Sequence, residues 1–258
     1  MTSSRAVTLD LWMPWYQKIA EMLRLDRGRD EEATRILSAL LEGRDTRPAA
    51  LEERLKGRPV LVFGAGPSLE RNLREVDLPR LSSDWVVVAA DGATTALTRF
   101  GKRMPDIIVT DLDGWMPDIL AAHSQGAAVV VHGHGDNIRQ LRRYVPLLGS
   151  ALGTTQVEPQ PRVYNLGGFT DGDRAVFLAY AMRAETIALA GMDLGTVIGR
   201  YSKRRVRSVE AKLTKLRICK ELLEWLASRA EARLLNATWY GEKIRGFRDV
   251  QGGQLRDL

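Results

Sequence analysis

The chain has little of two residue types that many functional sites require. It contains one cysteine, Cys219, and three histidines among its 258 residues. A single cysteine cannot form an internal disulfide or a zinc site made of several thiolates, which excludes disulfide-stabilised scaffolds and zinc fingers. We therefore expect a protein of a reducing compartment.

Long hydrophobic runs are also absent. No stretch reaches the roughly 18 uncharged apolar residues that a membrane-spanning helix needs. Residues 1–10 lack the apolar segment of a secretory signal. We expect a cytoplasmic protein with no membrane partner.

What is present is the composition of an ordinary globular domain with an excess of positive charge. Hydrophobic residues make up 45% of the chain and charged residues 27%, so a sizeable core can form. The formal net charge is +6. Such a charge attracts anionic partners, and it leaves nucleic acid and phosphorylated small molecules as the two classes to separate.

Apolar runs of two to six residues alternate with helical stretches over most of the chain. The runs occupy residues 59–63, 85–90, 107–110, 127–131, 163–164 and 186–190, and 233–237 is a candidate last strand. They are uniformly apolar rather than alternating, which is typical of strands covered on both faces. The sequence predicts an α/β fold with a mostly parallel sheet flanked by helices and with an N-terminal helical layer.

Three parts of the chain differ in residue pattern. Residues 1–57 have helical periodicity, in which Trp12, Tyr16 and Ile19 share a face that is either core or subunit interface. Residues 58–200 form the predicted α/β catalytic core. Residues 201–258 hold a basic segment, an amphipathic helix over 208–229 and the candidate strand. A homo-oligomer is an open alternative.

Glycine and acidic or hydroxyl side chains follow nearly every apolar run. In parallel sheets, ligands bind beyond the carboxyl ends of the strands, so these residues are the candidate site. Gly64, Gly66 and Ser68 follow the first run and suit a phosphate-binding turn at a helix start. The alternative is a tight turn capped by serine, because the third glycine of a dinucleotide motif and the lysine of a P-loop are missing.

Asp111 and Asp113 give the more specific signal. Two carboxylates one residue apart at a strand end can point into one site only if the chain turns there, which Gly114 permits. Like charges held close together repel unless a cation lies between them, and Mg²⁺ prefers carboxylate and phosphate oxygens. Asp91 and Asp136 occupy equivalent positions on neighbouring strands. The alternative is a pair of solvated loop aspartates.

Two further clusters allow functional and structural interpretations. His132 and His134 flank a glycine, and a donor to phosphate or substrate is favoured over a zinc site because other nitrogen or sulfur ligands are missing. The basic run that begins at Lys203 suits RNA, a cationic flap over a polyphosphate, or a solvated face. Aromatic residues are not interleaved with it, which weakens the RNA interpretation.

Several motifs carry a resemblance in combination: Ala-Asp91-Gly92-Ala-Thr, Thr110-Asp111-Leu-Asp113-Gly, His132-Gly-His134-Gly-Asp136-Asn137, Gly168-Phe-Thr-Asp171-Gly-Asp173-Arg and Gly191-Met-Asp193. With them, the chain resembles the archaeal 6-hydroxymethyl-7,8-dihydropterin pyrophosphokinase family over nearly its whole length. It is distantly similar to the catalytic domains of thiamin pyrophosphokinases. The resemblance implies a Rossmann-like catalytic core.

The resemblance also implies roles for individual residues. The catalytic set is Asp91, Asp111, Asp113 and Asp136, of which the last three would bind Mg²⁺. The nucleotide-binding set, for ATP as co-substrate, is Gly64, Gly66, Ser68, Gly92, Asn137 and Lys203. The substrate-binding set is His134, Thr170, Asp171 and Asp173. Ala65 departs from the pattern, since some members have a more polar residue there.

The implied reaction is attack of the pterin hydroxymethyl oxygen on the β-phosphorus of ATP, which gives the pterin diphosphate and AMP. The product would serve a folate or a methanopterin-type cofactor. Asp171 and Asp173 suit the 2-amino-pyrimidinone edge of a pterin, although a helix-capping turn is an equal alternative. The phosphate loops alone do not separate this enzyme from a thiamin pyrophosphokinase, and a non-catalytic RNA-binding protein is a third hypothesis.

Overall fold

The computed structural model describes residues 6–44, 48–202, 208–239 and 241–258. Its centre is a nine-stranded sheet of order β6-β5-β4-β3-β2-β1-β7-β8-β9, and every neighbouring pair is parallel. The strands are β1 (Pro59–Phe63), β2 (Val86–Ala90), β3 (Ile107–Thr110), β4 (Ala128–Gly133), β5 (Leu152–Thr155), β6 (Val163–Tyr164), β7 (Thr186–Ala190), β8 (Arg233–Asn236) and β9 (Arg248–Asp249). The predicted α/β class is confirmed.

Helices cover both faces of this sheet, which is why its central strands are uniformly apolar. The α-helices of the described chain are α1 (Leu9–Leu23), α2 (Arg27–Leu40), α3 (Pro48–Leu55), α4 (Leu69–Val76), α5 (Ala93–Ala96), α6 (Met116–Ser124), α7 (Ile138–Tyr144), α8 (Asp171–Ala181) and α9 (Val209–Ala227). Helices α1, α3, α8 and α9 share one hydrophobic core with the sheet, and α2, α6 and α7 share another.

The two N-terminal helices lie on opposite faces. Trp12 and Tyr16 of α1 share a core with Val109 and Val130. Leu37 of α2 lies in the other core with Ile108, the residue before Val109 on β3. Successive residues of a strand point to opposite faces of the sheet, so α1 and α2 pack on opposite faces. The linker between them passes the carboxyl ends of the strands. The aromatic side chains Trp12 and Tyr16 of α1 are therefore buried in the hydrophobic core of a single chain.

The chain runs outward from β1 to β6 and then returns to place β7 on the other side of β1. This reversal of strand order leaves a crevice at the carboxyl ends of β1 and β7. Within the described ranges, no helix is both long and apolar enough to cross a membrane.

Two strands were not predicted. Strand β5 has the sequence Leu-Gly-Thr-Thr, which is too short and too polar to stand out, and its backbone pairs with β4. Strand β9 is two exposed residues at the sheet edge. The other predicted strands are present, including the last one at Arg233–Asn236. The division of the chain at residues 57 and 200 stays a prediction.

Candidate active site

A cleft of about 360 Å³ opens at the carboxyl edge of the sheet. The loops after β1, β2, β3, β4 and β7 contribute to its walls, as expected for a parallel sheet. The α1–α2 linker closes one side, and Lys212 and Lys215 of α9 contribute positive charge to another. The cleft therefore joins parts that are far apart in the sequence.

Three carboxylates meet at the centre of this edge. Asp91, Asp111 and Asp113 each place an oxygen within 4.8 Å of the others. Asp91 and Asp111 are buried. Burial raises the pKa of Asp91 well above its usual value, and the neighbouring carboxylates raise it further. An arrangement of this kind favours a bound cation, because a cation removes the repulsion between the carboxylates.

The backbone brings these side chains together by unusual local conformations. Leu112, between the two aspartates, has a φ of 64°, and Asp91 has a φ of 40°. These left-handed conformations are uncommon for residues other than glycine and often mark functional sites. The sequence predicted a turn that Gly114 permits; the chain bends at both Leu112 and Gly114, and the left-handed residue is Leu112.

Gly114 also allows the close approach of Asp91. A Cβ atom there would lie 2.7 Å from Oδ1 of Asp91. Instead, the Gly114 N–H donates to that oxygen at 3.2 Å, and Thr110 Oγ1 donates to it at 2.6 Å. The glycine thus allows the backbone to hold the Asp91 carboxylate in place.

The loop after β4 supports Asp111. His134 Nε2 lies 3.3 Å from Oδ2 of Asp111, and His134 Nδ1 accepts from the Asp136 N–H at 3.3 Å. The second contact leaves the proton on Nε2, so His134 donates to Asp111. The Asn137 side chain donates to the backbone carbonyls of Asp111 and His132. This amide fixes the loop against β3.

Sequence comparisons agree with this geometry. The family model described as 6-hydroxymethylpterin diphosphokinase MptE-like matches residues 34–199. The chain belongs to this MptE-like family.

Three relatives of the family, all named 6-hydroxymethyl-7,8-dihydropterin pyrophosphokinase, match most of the chain. The protein of Methanothermobacter thermautotrophicus is 45% identical over 88% of this chain and 98% of its own length. The Pyrococcus furiosus protein is 42% identical over 87% of this chain and 96% of its own length. The Methanocaldococcus jannaschii protein is 36% identical over 87% of this chain and 98% of its own length.

In this member of the MptE-like family, the predicted metal set and the observed acidic group differ at one residue. Among the described residues, the group that could hold a metal ion consists of Asp91, Asp111 and Asp113. Asp136 is exposed, lines the cleft and lies outside the group. The resemblance placed Asp91 among the catalytic residues without a metal role, and its position now favours one.

In the loop after β1, the N–H groups of Gly64, Gly66 and Ser68 are already bonded within the protein. Gly64 N donates to Ala190 O at 2.9 Å, and Gly66 N donates to Gly191 O at 2.8 Å. The Ser68 N–H and hydroxyl both donate to the carboxylate of Asp193, at 3.2 and 2.9 Å. The roles of Gly64, Gly66 and Ser68 in nucleotide binding stay predictions, although the first two line the cleft.

Glycines of this region also allow close approach of the segment after β7. A Cβ atom on Gly66 would lie 2.0 Å from the Asp193 carboxylate, and one on Gly92 would lie 1.8 Å from the Tyr201 carbonyl. These distances explain why the positions are glycine without reference to a ligand. The predicted nucleotide-binding residue Lys203, like the basic residues up to 207, lies outside the described residues.

The two aspartates at the start of α8 have separate environments. Asp173 is fully buried and accepts from the N–H groups of Phe169 and Thr170, each at 2.7 Å, as part of a capping box. Its carboxylate therefore caps the helix. Thr170 and Asp171 line the cleft, and Asp171 lies 3.4 Å from Arg174. A substrate role for these residues stays a prediction.

Sequence reasoning missed Asp30, Gln156 and Arg174, which also line the cleft. Asp30 lies in the first turn of α2, where the helix dipole alone explains an acidic residue. Gln156 follows β5, the strand that the sequence did not reveal. The rule of a polar residue after each strand, applied to β5, would have found Gln156 alone.

Proposed function

We propose that this protein is a 6-hydroxymethyl-7,8-dihydropterin pyrophosphokinase that uses ATP and a divalent cation, Mg²⁺. One observation carries the identity of the reaction: relatives of that name match 96–98% of their own length at 36–45% identity. The cleft supports the same chemistry, because it brings an acidic cluster and cationic side chains to one edge of the sheet.

The reaction forms one bond and breaks one. The hydroxymethyl oxygen of the pterin bonds to the β-phosphorus of ATP, the bond between that phosphorus and the α–β bridging oxygen breaks, and AMP departs. The hydroxyl proton is released to water in the same overall step, and the bridging oxygen leaves on AMP. Transfer of this kind depends chiefly on positioning and on neutralising phosphate charge.

The residues present fit a magnesium ion. All three groups of the cluster are carboxylates, which are the ligands that this hard cation prefers, and two of them are buried. Asp91, Asp111 and Asp113 would hold it. When bound, such a cation draws electron density from the phosphate oxygens and neutralises their charge.

The chain's own residues orient this centre. Thr110 and Gly114 hold one oxygen of Asp91, and His134 donates to Asp111. Lys212 and Lys215 of α9 line the cleft and supply positive charge to a bound polyphosphate. These contacts are formed within the protein itself, so the site is arranged before substrates arrive.

The test is an assay of AMP formation by the purified protein with ATP, Mg²⁺ and either the hydroxymethyl pterin or thiamin. We expect AMP with the pterin, none with thiamin, and no turnover with EDTA. Asp111→Ala should lose about a thousandfold or more in rate while remaining folded, because it removes charge stabilisation at the reacting phosphate.

Asp84→Ala is the matched control, since Asp84 is an exposed aspartate at the amino end of β2, away from the cleft. It should retain wild-type turnover. AMP formation with thiamin instead of the pterin would overturn the substrate assignment, and near-wild-type turnover of Asp111→Ala would overturn the metal-ligand assignment.

A further inference from the structure

The cleft has an apolar wall and a polar wall. The apolar wall includes Pro67, Met192, Leu194, Val197 and Ile198. The polar wall comprises Asp30, Gln156, Asp171 and Arg174. It adjoins the three-carboxylate cluster, because Asp30 accepts from the Gly135 N–H and the neighbouring His134 contacts Asp111.

A hydrogen-bond network fixes the polar wall. Oδ2 of Asp30 accepts from the Tyr16 hydroxyl at 2.8 Å and from Gln156 Nε2 at 2.7 Å. Its Oδ1 accepts from the Gly135 N–H at 2.8 Å. Asp30 is only 4% exposed and yet lines the cleft. Three donors therefore hold the carboxylate in one orientation. One comes from α1, one from the loop after β4 and one from the loop after β5.

Arg174 continues the network with a donor to spare. Its Nη2 donates to Gln156 Oε1 at 3.1 Å, and its Nη1 lies 3.4 Å from Asp171 Oδ1. Its buried Nε–H has no hydrogen-bond partner in the described part of the chain. The side chain is only 9% exposed. Each Nη atom carries a second N–H, so the guanidinium keeps donors beyond its contacts with Gln156 and Asp171, and Arg174 lines the cleft.

The dihydropterin ring matches this set of groups. Its 2-amino group and N3–H donate along one edge, and its 4-oxo group accepts. A carboxylate and a guanidinium provide the complementary acceptor and donors. Phe169, which also lines the cleft, adds an aromatic surface beside them. Adenine has no carbonyl group and no N–H on its six-membered ring, and it is better suited to the apolar wall.

We propose that the pterin ring binds at the polar wall of the cleft, where Asp30 recognises the 2-amino-pyrimidinone edge and Arg174 donates to the ring. The inference rests on the proposed function and deepens it. It places the hydroxymethyl group toward the adjoining carboxylate cluster and leaves the apolar wall to ATP. Asp30 is thereby the residue that determines specificity for a 2-amino pteridine.

The test uses Asp30→Asn and Arg174→Lys in the full chain. The pterin Kd is measured without ATP by pterin fluorescence, and KM is measured for each substrate. We expect the pterin Kd and KM to rise about tenfold to a hundredfold in both variants, because buried polar partners are lost, while the KM for ATP changes less than about twofold.

A substrate analogue with oxygen in place of the 2-amino group separates recognition from loss of structure. The wild type should bind this analogue far more weakly than the pterin, and Asp30→Asn should lose most of that discrimination. Thr34→Val is the matched control: Thr34 Oγ1 donates to the Asp30 carbonyl in the same helix but does not line the cleft. It should keep the discrimination.

The outcomes are distinguishable from those of the proposed function. A wild type that binds the pterin through Asp30 but forms no AMP overturns the proposed function alone. A wild type that forms AMP, with an Asp30→Asn variant that keeps its pterin Kd and its discrimination, overturns the subsite alone. A rise in the ATP KM with an unchanged pterin Kd also overturns it.

Discussion

Some residues at the carboxyl edge of the sheet adopt conformations that cost folding free energy but give the site its geometry. Leu112 adopts a left-handed conformation, and the Asp91 carboxyl is buried beside two other acidic groups. Strained backbone of this kind costs about 1–3 kcal/mol per residue and persists only where the surroundings enforce it. Here a buried Leu112 side chain provides that enforcement, because it anchors the turn in the core shared by α2 and α6.

Gly114→Ala tests this arrangement at the residue scale. A methyl group would lie 2.7 Å from the Asp91 carboxylate oxygen, so the carboxylate or the loop must move. We expect turnover to fall by about a hundredfold, since a displacement of about 1 Å at a reacting centre has that effect. Steady-state kinetics, with circular dichroism to check the fold, measures it.

Gly149→Ala is the control for this change. A Cβ atom on Gly149 meets nothing within 4 Å and its φ is not left-handed, so the variant should keep its activity. Equal turnover in the two variants would contradict the argument that Gly114 serves the approach of Asp91.

At the scale of elements, the N-terminal helices are part of the site rather than an accessory layer. The α1–α2 linker contributes Arg24, Leu25 and Asp26 to the cleft. The Asp26 side chain also caps α2, where it accepts from the Arg29 N–H at 3.2 Å. Helix α1 reaches the site indirectly, because Trp12 Nε1 donates to the Gln156 carbonyl at 2.8 Å.

Trp12→Ala should therefore affect both stability and substrate binding. Trp12 is 1% exposed and its ring contacts Phe177 at a centroid distance of 6.4 Å. Loss of a buried tryptophan costs about 3–5 kcal/mol, which denaturant unfolding would measure. Because Gln156 loses an anchor, we also expect a raised KM for the pterin.

Trp15→Ala provides the comparison within the same helix. Trp15 is partly exposed and contacts Trp225 at 5.7 Å. Its replacement should cost clearly less stability and leave the pterin KM unchanged. If both variants raised that KM equally, the connection from α1 to the site through Gln156 would be wrong.

At the scale of the whole molecule, charge is distributed unevenly. The formal net charge is +6, yet the centre of the cleft is acidic. Lys212 and Lys215 stand on the wall of the same cleft. This pattern suits a polyphosphate with a cation better than a nucleic-acid backbone, which bare carboxylates would repel.

Ionic strength tests this interpretation. If the positive charge attracts ATP, the KM for ATP should rise severalfold as salt increases from about 0.05 to 0.5 M, because screening shortens the reach of the charges. The KM for the neutral pterin should change little. Steep, salt-sensitive retention on RNA without AMP formation would support the RNA-binding hypothesis instead.

The local pattern of the sequence was sufficient for much of this molecule. Uniform apolar runs identified most strands, and the polar residues after them located Asp91, Asp111 and Asp113 at one edge of the sheet. The combined motifs identified the family. These features are encoded in adjacent residues, so one-dimensional patterns reveal them.

The tertiary structure decided which of the candidate residues meet. Asp136 lies outside the acidic group, Asp173 caps a helix, and the Ser68 N–H binds Asp193. Asp30, Gln156 and Arg174 come from α2, the end of β5 and α8, and their sequence neighbours give no sign that they share a cleft. Their contacts depend on how the helices cross the sheet, which is a property of long-range packing and not of local pattern.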